Sequence, residues 1–237
     1  TPELDTFSSV FKNCGELTSI NLEKIETQKV SSFNELFSGC KNLEVIKGIE
    51  NFHTGNAGGF QEIFLNCEKL TSLNLSNWDV SLANYFTSTF EGCTGLQTID
   101  IDSWNSKNVN EMSKMFKGCE ALSNLKFSNL TTNLVRYMNE MFMNCNNLVS
   151  LDLSNFTTEN TINMTRMFYG MKKLEKLDLR QFVPGYYEID TGVIDMFKNI
   201  NVENNFSIII DVDKWRTVKD FKIPENANVT KPEELFE

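Results

Sequence analysis

One spacing constrains this chain more than any other property. Phenylalanines recur at Phe11, Phe37, Phe64, Phe90, Phe116, Phe142, Phe168 and Phe197, in steps of 26, 27, 26, 26, 26, 26 and 29 residues. Two positions after each stands Asn13, Gly39, Asn66, Gly92, Gly118, Asn144, Gly170 or Asn199. All eight are of the two residue types that most readily take positive φ. A unit this short cannot bury its own apolar side chains, so the units must stack. The period predicts a solenoid of about eight rungs.

The unit Glu111–Phe127 shows what each rung is expected to contain. Met112, Met115 and Phe116 stand at i, i+3 and i+4, which predicts a short helix with one apolar face. Gly118 is its expected stop. Leu125 and Phe127 then share one face of a strand. One strand per rung predicts a long parallel sheet with a right-handed return through the helix. The methionines alternate with phenylalanine on the expected helix face and read as core. Trp78, Trp104, Phe156 and Phe182 read as the filling of the other corner. The array is expected over residues 1–210, with a C-terminal cap and a loosely attached tail over 211–237.

Composition closes off several functions. The net charge of -10 disfavours nucleic acid and anionic membrane surfaces, which need clustered Lys and Arg. No apolar run approaches the roughly 20 residues of a membrane span, so no membrane insertion is expected. The chain opens on Thr1 inside a rung, which implies a trimmed chain or the loss of an export signal and earlier rungs. The cysteines Cys14, Cys40, Cys67, Cys93, Cys119 and Cys145 each follow a rung phenylalanine by three residues, where later rungs carry Met171 and Ile200. A position that accepts Met and Ile asks for a buried apolar group, so six reduced, buried thiols are expected. Disulfides between neighbouring rungs are the second reading. A zinc site is the third, since there is no Cys-x-x-Cys pair and His53 is the sole histidine.

The segment Met138–Phe156, with Met112–Phe127 and Leu73–Trp78 beside it, resembles the BspA-like leucine-rich repeat surface proteins. The resemblance implies an α/β fold, a right-handed leucine-rich repeat solenoid with a parallel sheet on its concave face and short helices on its convex face. It also implies an extracellular or cell-surface protein that adheres to host or matrix proteins. Such proteins bring no catalytic residues and no cofactor.

The residues themselves show no nucleophile motif, phosphate loop or metal pair, so no enzyme and no cofactor is expected. The remaining candidate is the open strand face, where Asn74, Asp100, Asp102, Lys126, Asp152 and Asp178 stand outward. The plain reading is a solvated face. The sharper one is an acidic track for a polar or basic partner, a protein or a glycan, which makes the chain a non-enzymatic adhesion module. Calcium on the aspartates is a weaker alternative, because Lys126 interrupts the column. A structural or antigenic spacer without a specific ligand is the alternative function.

Overall fold

The structure, a computed structural model, describes residues 5–184, 192–201, 206–216, 218 and 221–236. The repeats stack as the period requires. The segment expected to be a helix, however, is not one. Among the described residues no α-helix forms, and the helical pieces are three short 3-10 turns at Ile49–Asn51, Val212–Trp215 and Pro232–Phe236.

The reason lies four residues before the Gly/Asn column. That column has positive φ throughout, between 56° and 78°. So do Ser9, Glu35, Glu62, Ser88, Lys114, Glu140, Arg166 and Asp195, with φ of 53° to 59°. A left-handed residue in mid-segment stops a helix and costs about 1–2 kcal/mol when it carries a side chain. Hydrogen bonds to the next repeat offset that cost. The N–H groups of Phe86, Ser88, Phe90 and Gly92 donate to the carbonyls of Glu111, Ser113, Met115 and Lys117 at 2.8–3.0 Å. The same four bonds join Met112, Lys114, Phe116 and Gly118 to Tyr137, Asn139, Met141 and Met143. Parallel bridges run along the edge of this turn ladder from Ser32 through Gly59, Tyr85, Glu111 and Tyr137 to Asn163.

The strand side is less continuous. Strands β1 (Ser19–Asn21) and β2 (Val45–Lys47) form one parallel pair, and β3 (Ser72–Asn74) and β4 (Thr98–Asp100) form a second. Strands β5 (Ser150–Asp152), β6 (Lys176–Asp178), β7 (Phe206–Ile209) and β8 (Ala227–Thr230) form a third sheet. Residues 124–127 belong to no strand. The expected leucine-rich repeat solenoid is therefore overturned: three small, separate parallel sheets replace the long concave sheet, and turns replace the convex helices. Ser207 faces Lys176, so Asp178 faces Ile209. Strand β8, in the stretch read as a loose tail, pairs with β7 over four residues.

The core consists of columns. The eight repeat phenylalanines form an unbroken stack with ring centroids 5.3–5.9 Å apart and planes within 15° of parallel. Each offset-stacked pair adds about 0.5–1.5 kcal/mol beyond the area it buries. Trp78 and Trp104 stack at 6.2 Å, and each indole N–H donates to a carbonyl of the preceding repeat at 3.0 Å. The methionines on the former helix face are fully buried, in keeping with a core role.

The cysteines form a further column, all with free thiols. Cys40, Cys67, Cys93, Cys119 and Cys145 are buried, and each thiol donates to the phenylalanine carbonyl of the preceding repeat at 2.9–3.2 Å. Cys14 departs from expectation and is exposed.

Two predictions follow from these columns. Lys114→Gly would cost about 1 kcal/mol in a helix, but at φ of 59° it should be neutral or stabilising by up to about 1 kcal/mol. Urea denaturation of the two chains decides between them. The thiols supply the second test. Burial pushes the Cys93 thiol up to about 12 and raises those of Cys67, Cys119 and Cys145 as well. Unfolded thiols titrate near about 8.5. The stability linked to these thiols is complete below that pH and is lost as pH rises toward the folded values. From pH 8 to 10.5 the unfolding free energy should fall by up to about 1.4 kcal/mol per pH unit for each buried thiol. A flat profile would contradict the buried column.

Candidate functional site

Of the candidate residues of the strand face, Asn74 stands opposite Asp100 and Asp152 opposite Asp178. At least one side-chain oxygen of each is already engaged. Asn74 accepts from the Ser76 backbone N–H at 3.1 Å and from its hydroxyl at 2.7 Å. Asp100 accepts from the N–H of Asp102 at 3.3 Å, Asp152 from that of Ser154 at 2.9 Å, and Asp178 from that of Arg180 at 3.1 Å. These are Asx turns, in which a short side chain caps the backbone two residues on. The Arg180 guanidinium also grips Asp178 through Nε at 3.0 Å and 3.1 Å. Asp102 reaches across repeats to accept from the Ser128 N–H at 2.7 Å. That bond holds the Asp102 carboxyl below its ordinary range.

Lys126 stands in the same column and has no acceptor to offer. Its repeat is the one that leaves the sheet. The gap opens two clefts beside it. One, of about 290 Å³, is lined by Asp100, Asp102, Asn124 and Lys126. The other, of about 530 Å³, is lined by Lys126, Ser128, Ser150, Asp152 and Asn155. Across the second cleft Asn155 Nδ2 donates to the carbonyls of Phe127 and Leu130 at 2.6 Å and 2.9 Å. The second sheet break follows Lys47, the other lysine of the column, where Gly48 also inserts a residue at φ of 83°. With its sheet interrupted and its carboxylates used as turn caps, the expected concave face for a host or matrix protein loses its surface.

The turn ladder presents a different one. Leu82, Tyr85, Leu134 and Tyr137 are 49%, 42%, 52% and 38% exposed, among the largest apolar exposures outside the ends of the array. Tyr85 and Tyr137 flank Glu111 on consecutive bridges. The backbone beneath them is pinned by Asn110 N–H to the Asn84 carbonyl at 3.0 Å and Arg136 N–H to the Asn110 carbonyl at 2.9 Å. One Glu111 oxygen accepts from the Ser113 N–H at 2.8 Å, and Glu111 makes no ion pair among the described residues. Arg136 is exposed at the rim. The strand face has no Tyr and its Arg180 is committed to Asp178, whereas this stripe has two tyrosines beside Arg136, residue types that dominate protein hot spots. Sequence patterning at the 26-residue period does not single this stripe out. Its signal there is a doubled period: Leu-x-x-Tyr at 82–85 and 134–137 alternates with Asn108/Glu111 and Asn160/Asn163.

The sequence matches the family described as Mycoplasma protein of unknown function, DUF285, over residues 5–124 and again over 84–206. The two matches start 79 residues apart, which is the distance from Phe11 to Phe90, three repeats. No curated protein matches. Among solved structures, a leucine-rich repeat protein from Bacteroides ovatus is 12% identical, with 94% of this chain and 86% of that one covered at a TM-score of 0.29. That likeness is a distant one, of a generic leucine-rich repeat kind, and it transfers no site.

Replacing Lys126 by Asn restores an acceptor without adding a fourth carboxylate to the column, where like charges would repel. Lys126→Asn should slow amide exchange over residues 124–127, and because the Ser128 N–H that it could cap already donates to Asp102, stability should change by less than about 0.5 kcal/mol. Unchanged exchange there would mean that the lysine is not what breaks the sheet.

Proposed function

Because the chain belongs to the family of Mycoplasma proteins of unknown function, DUF285, and that membership assigns no activity, we propose its function from the surface it presents. The chain is a non-enzymatic binding module that engages a partner protein through the stripe Leu82, Tyr85, Leu134 and Tyr137. The observation that carries this reading is the pair of exposed tyrosines held on a hydrogen-bonded ladder. Large apolar side chains are costly to leave in water, and a rigid backbone lowers the entropy lost on binding. A glycan is a second class of partner that tyrosine faces serve. The four apolar groups, two of them leucines, favour protein.

The finer resemblance, to BspA-like surface proteins, belongs with this proposal and is supported by the motif Met138–Phe156. A place at the cell surface goes with it, and a partner outside the cell is then the natural one. The buried thiols suit that setting because desolvation keeps them protonated and unreactive.

The test compares the wild type with Tyr85→Ser/Tyr137→Ser and with Asp100→Asn/Asp152→Asn. Binding of proteins retained by the wild type should weaken at least tenfold in the tyrosine variant, since truncating a hot-spot tyrosine costs about 2 kcal/mol or more. The aspartate variant should retain them. Retention by the tyrosine variant and loss by the aspartate variant would refute the proposal.

A further inference from the structure

The doubled period of the stripe says what shape of segment fits it. Tyr85 and Tyr137, each with an exposed leucine three residues before it, mark two apolar contacts separated by two ladder steps. At about 4.8 Å per step, the contacts lie roughly 10 Å apart along the stack. Glu111 occupies the step between them and has no cationic partner among the described residues.

Three regular backbones can be set against that spacing. An extended strand repeats its same-face side chains at roughly 6.8 Å, so neither the first nor the second interval matches. A polyproline helix repeats at roughly 9.3 Å and does match. Its intervening residues, however, point about 120° to either side, so none meets Glu111. Two turns of an α-helix rise roughly 10.8 Å, which brings residues i and i+7 onto the two apolar contacts. Residues i+3 and i+4 of that helix fall midway on the same face, over Glu111.

We infer that the stripe takes an amphipathic α-helix lying across the repeats, with large apolar side chains at i and i+7 and a lysine or arginine at i+3 or i+4. The charge between the anchors decides for the helix over the polyproline segment. The inference rests on the stripe being the binding surface. It adds the conformation of the partner and the sequence pattern that recognises it. Specificity resides in Glu111, since a carboxylate on the partner at the same place would be buried against a like charge.

The test uses synthetic peptides and the whole chain. One peptide is a helix-forming 18-mer with Leu at i and i+7 and Lys at i+4. A second carries Glu in place of that Lys. A third is a proline-rich peptide with Leu at i and i+3. Binding is read by fluorescence anisotropy, and variant folding by thermal melts. The Lys peptide should bind at micromolar concentration and gain helical circular dichroism on binding. Tyr85→Ser and Tyr137→Ser should each weaken it at least tenfold. Glu111→Lys should weaken the Lys peptide about tenfold and strengthen the Glu peptide. This charge exchange survives any small loss of fold common to the variants.

Equal binding of the proline-rich peptide overturns the inference, as does indifference to Glu111→Lys or the absence of binding by the Lys peptide. If captured partner proteins still depend on Tyr85 and Tyr137 in those cases, the helix alone is refuted and the stripe stands. If neither peptides nor captured proteins respond to the tyrosine changes, both readings fall.

Discussion

The structure depends on hydrogen bonds made between repeats by segments that look helical. In six of the turn segments four N–H groups donate to carbonyls of the next repeat, and in the third segment three do. Those donors are then unavailable to a helix, and the alternating left-handed residues aim them along the stack. Everything else inherits this translation. Stacked phenylalanines, capped indoles and thiols that donate across repeats all need identical residues presented one ladder step apart. The three small sheets are secondary to the ladder. They can break at Lys126 because residues on the opposite side of the same repeat stay bonded to both neighbours.

Much of this was legible in the sequence, and the misses have identifiable causes. The 26-residue period placed the stacked phenylalanines, and the Gly/Asn column marked positions that do have positive φ. The helix failed because Met112, Met115 and Phe116 at i, i+3 and i+4 are also what a tight coil with two left-handed residues buries. Lys114 gives no hint in its type that it takes φ of 59°. Side-chain periodicity reports which residues face inward and does not report where their amides point. The continuous sheet failed for a local reason. The outward column was read for its charge, while its work is done by oxygens that cap the chain two residues on. Asn, Asp and Lys are alike as polar surface residues, but lysine cannot accept a hydrogen bond.

The candidate site moved from one side of the stack to the other for a related reason. The strand face attracts notice because polar side chains align in every repeat, three of them aspartates. The tyrosines align every second repeat, with Glu111 between them and Asn163 beyond Tyr137. Exposure separates the two classes. An aspartate outside is ordinary, whereas Leu134 at 52% and Leu82 at 49% exposed are not explained by the core. The cysteines carry the opposite lesson. Acceptance of Met171 and Ile200 at their position showed a buried apolar role, and the structure adds a hydrogen bond that those two residues cannot make.

The turn ladder can be observed bond by bond through scalar couplings across hydrogen bonds, measured by NMR on the perdeuterated chain. Couplings should connect the amide nitrogens of Lys114, Phe116 and Gly118 to the carbonyl carbons of Asn139, Met141 and Met143. Couplings from Gly118 to the carbonyl of Lys114, four residues back, would show a helix in this segment and contradict the ladder on which the fold is built.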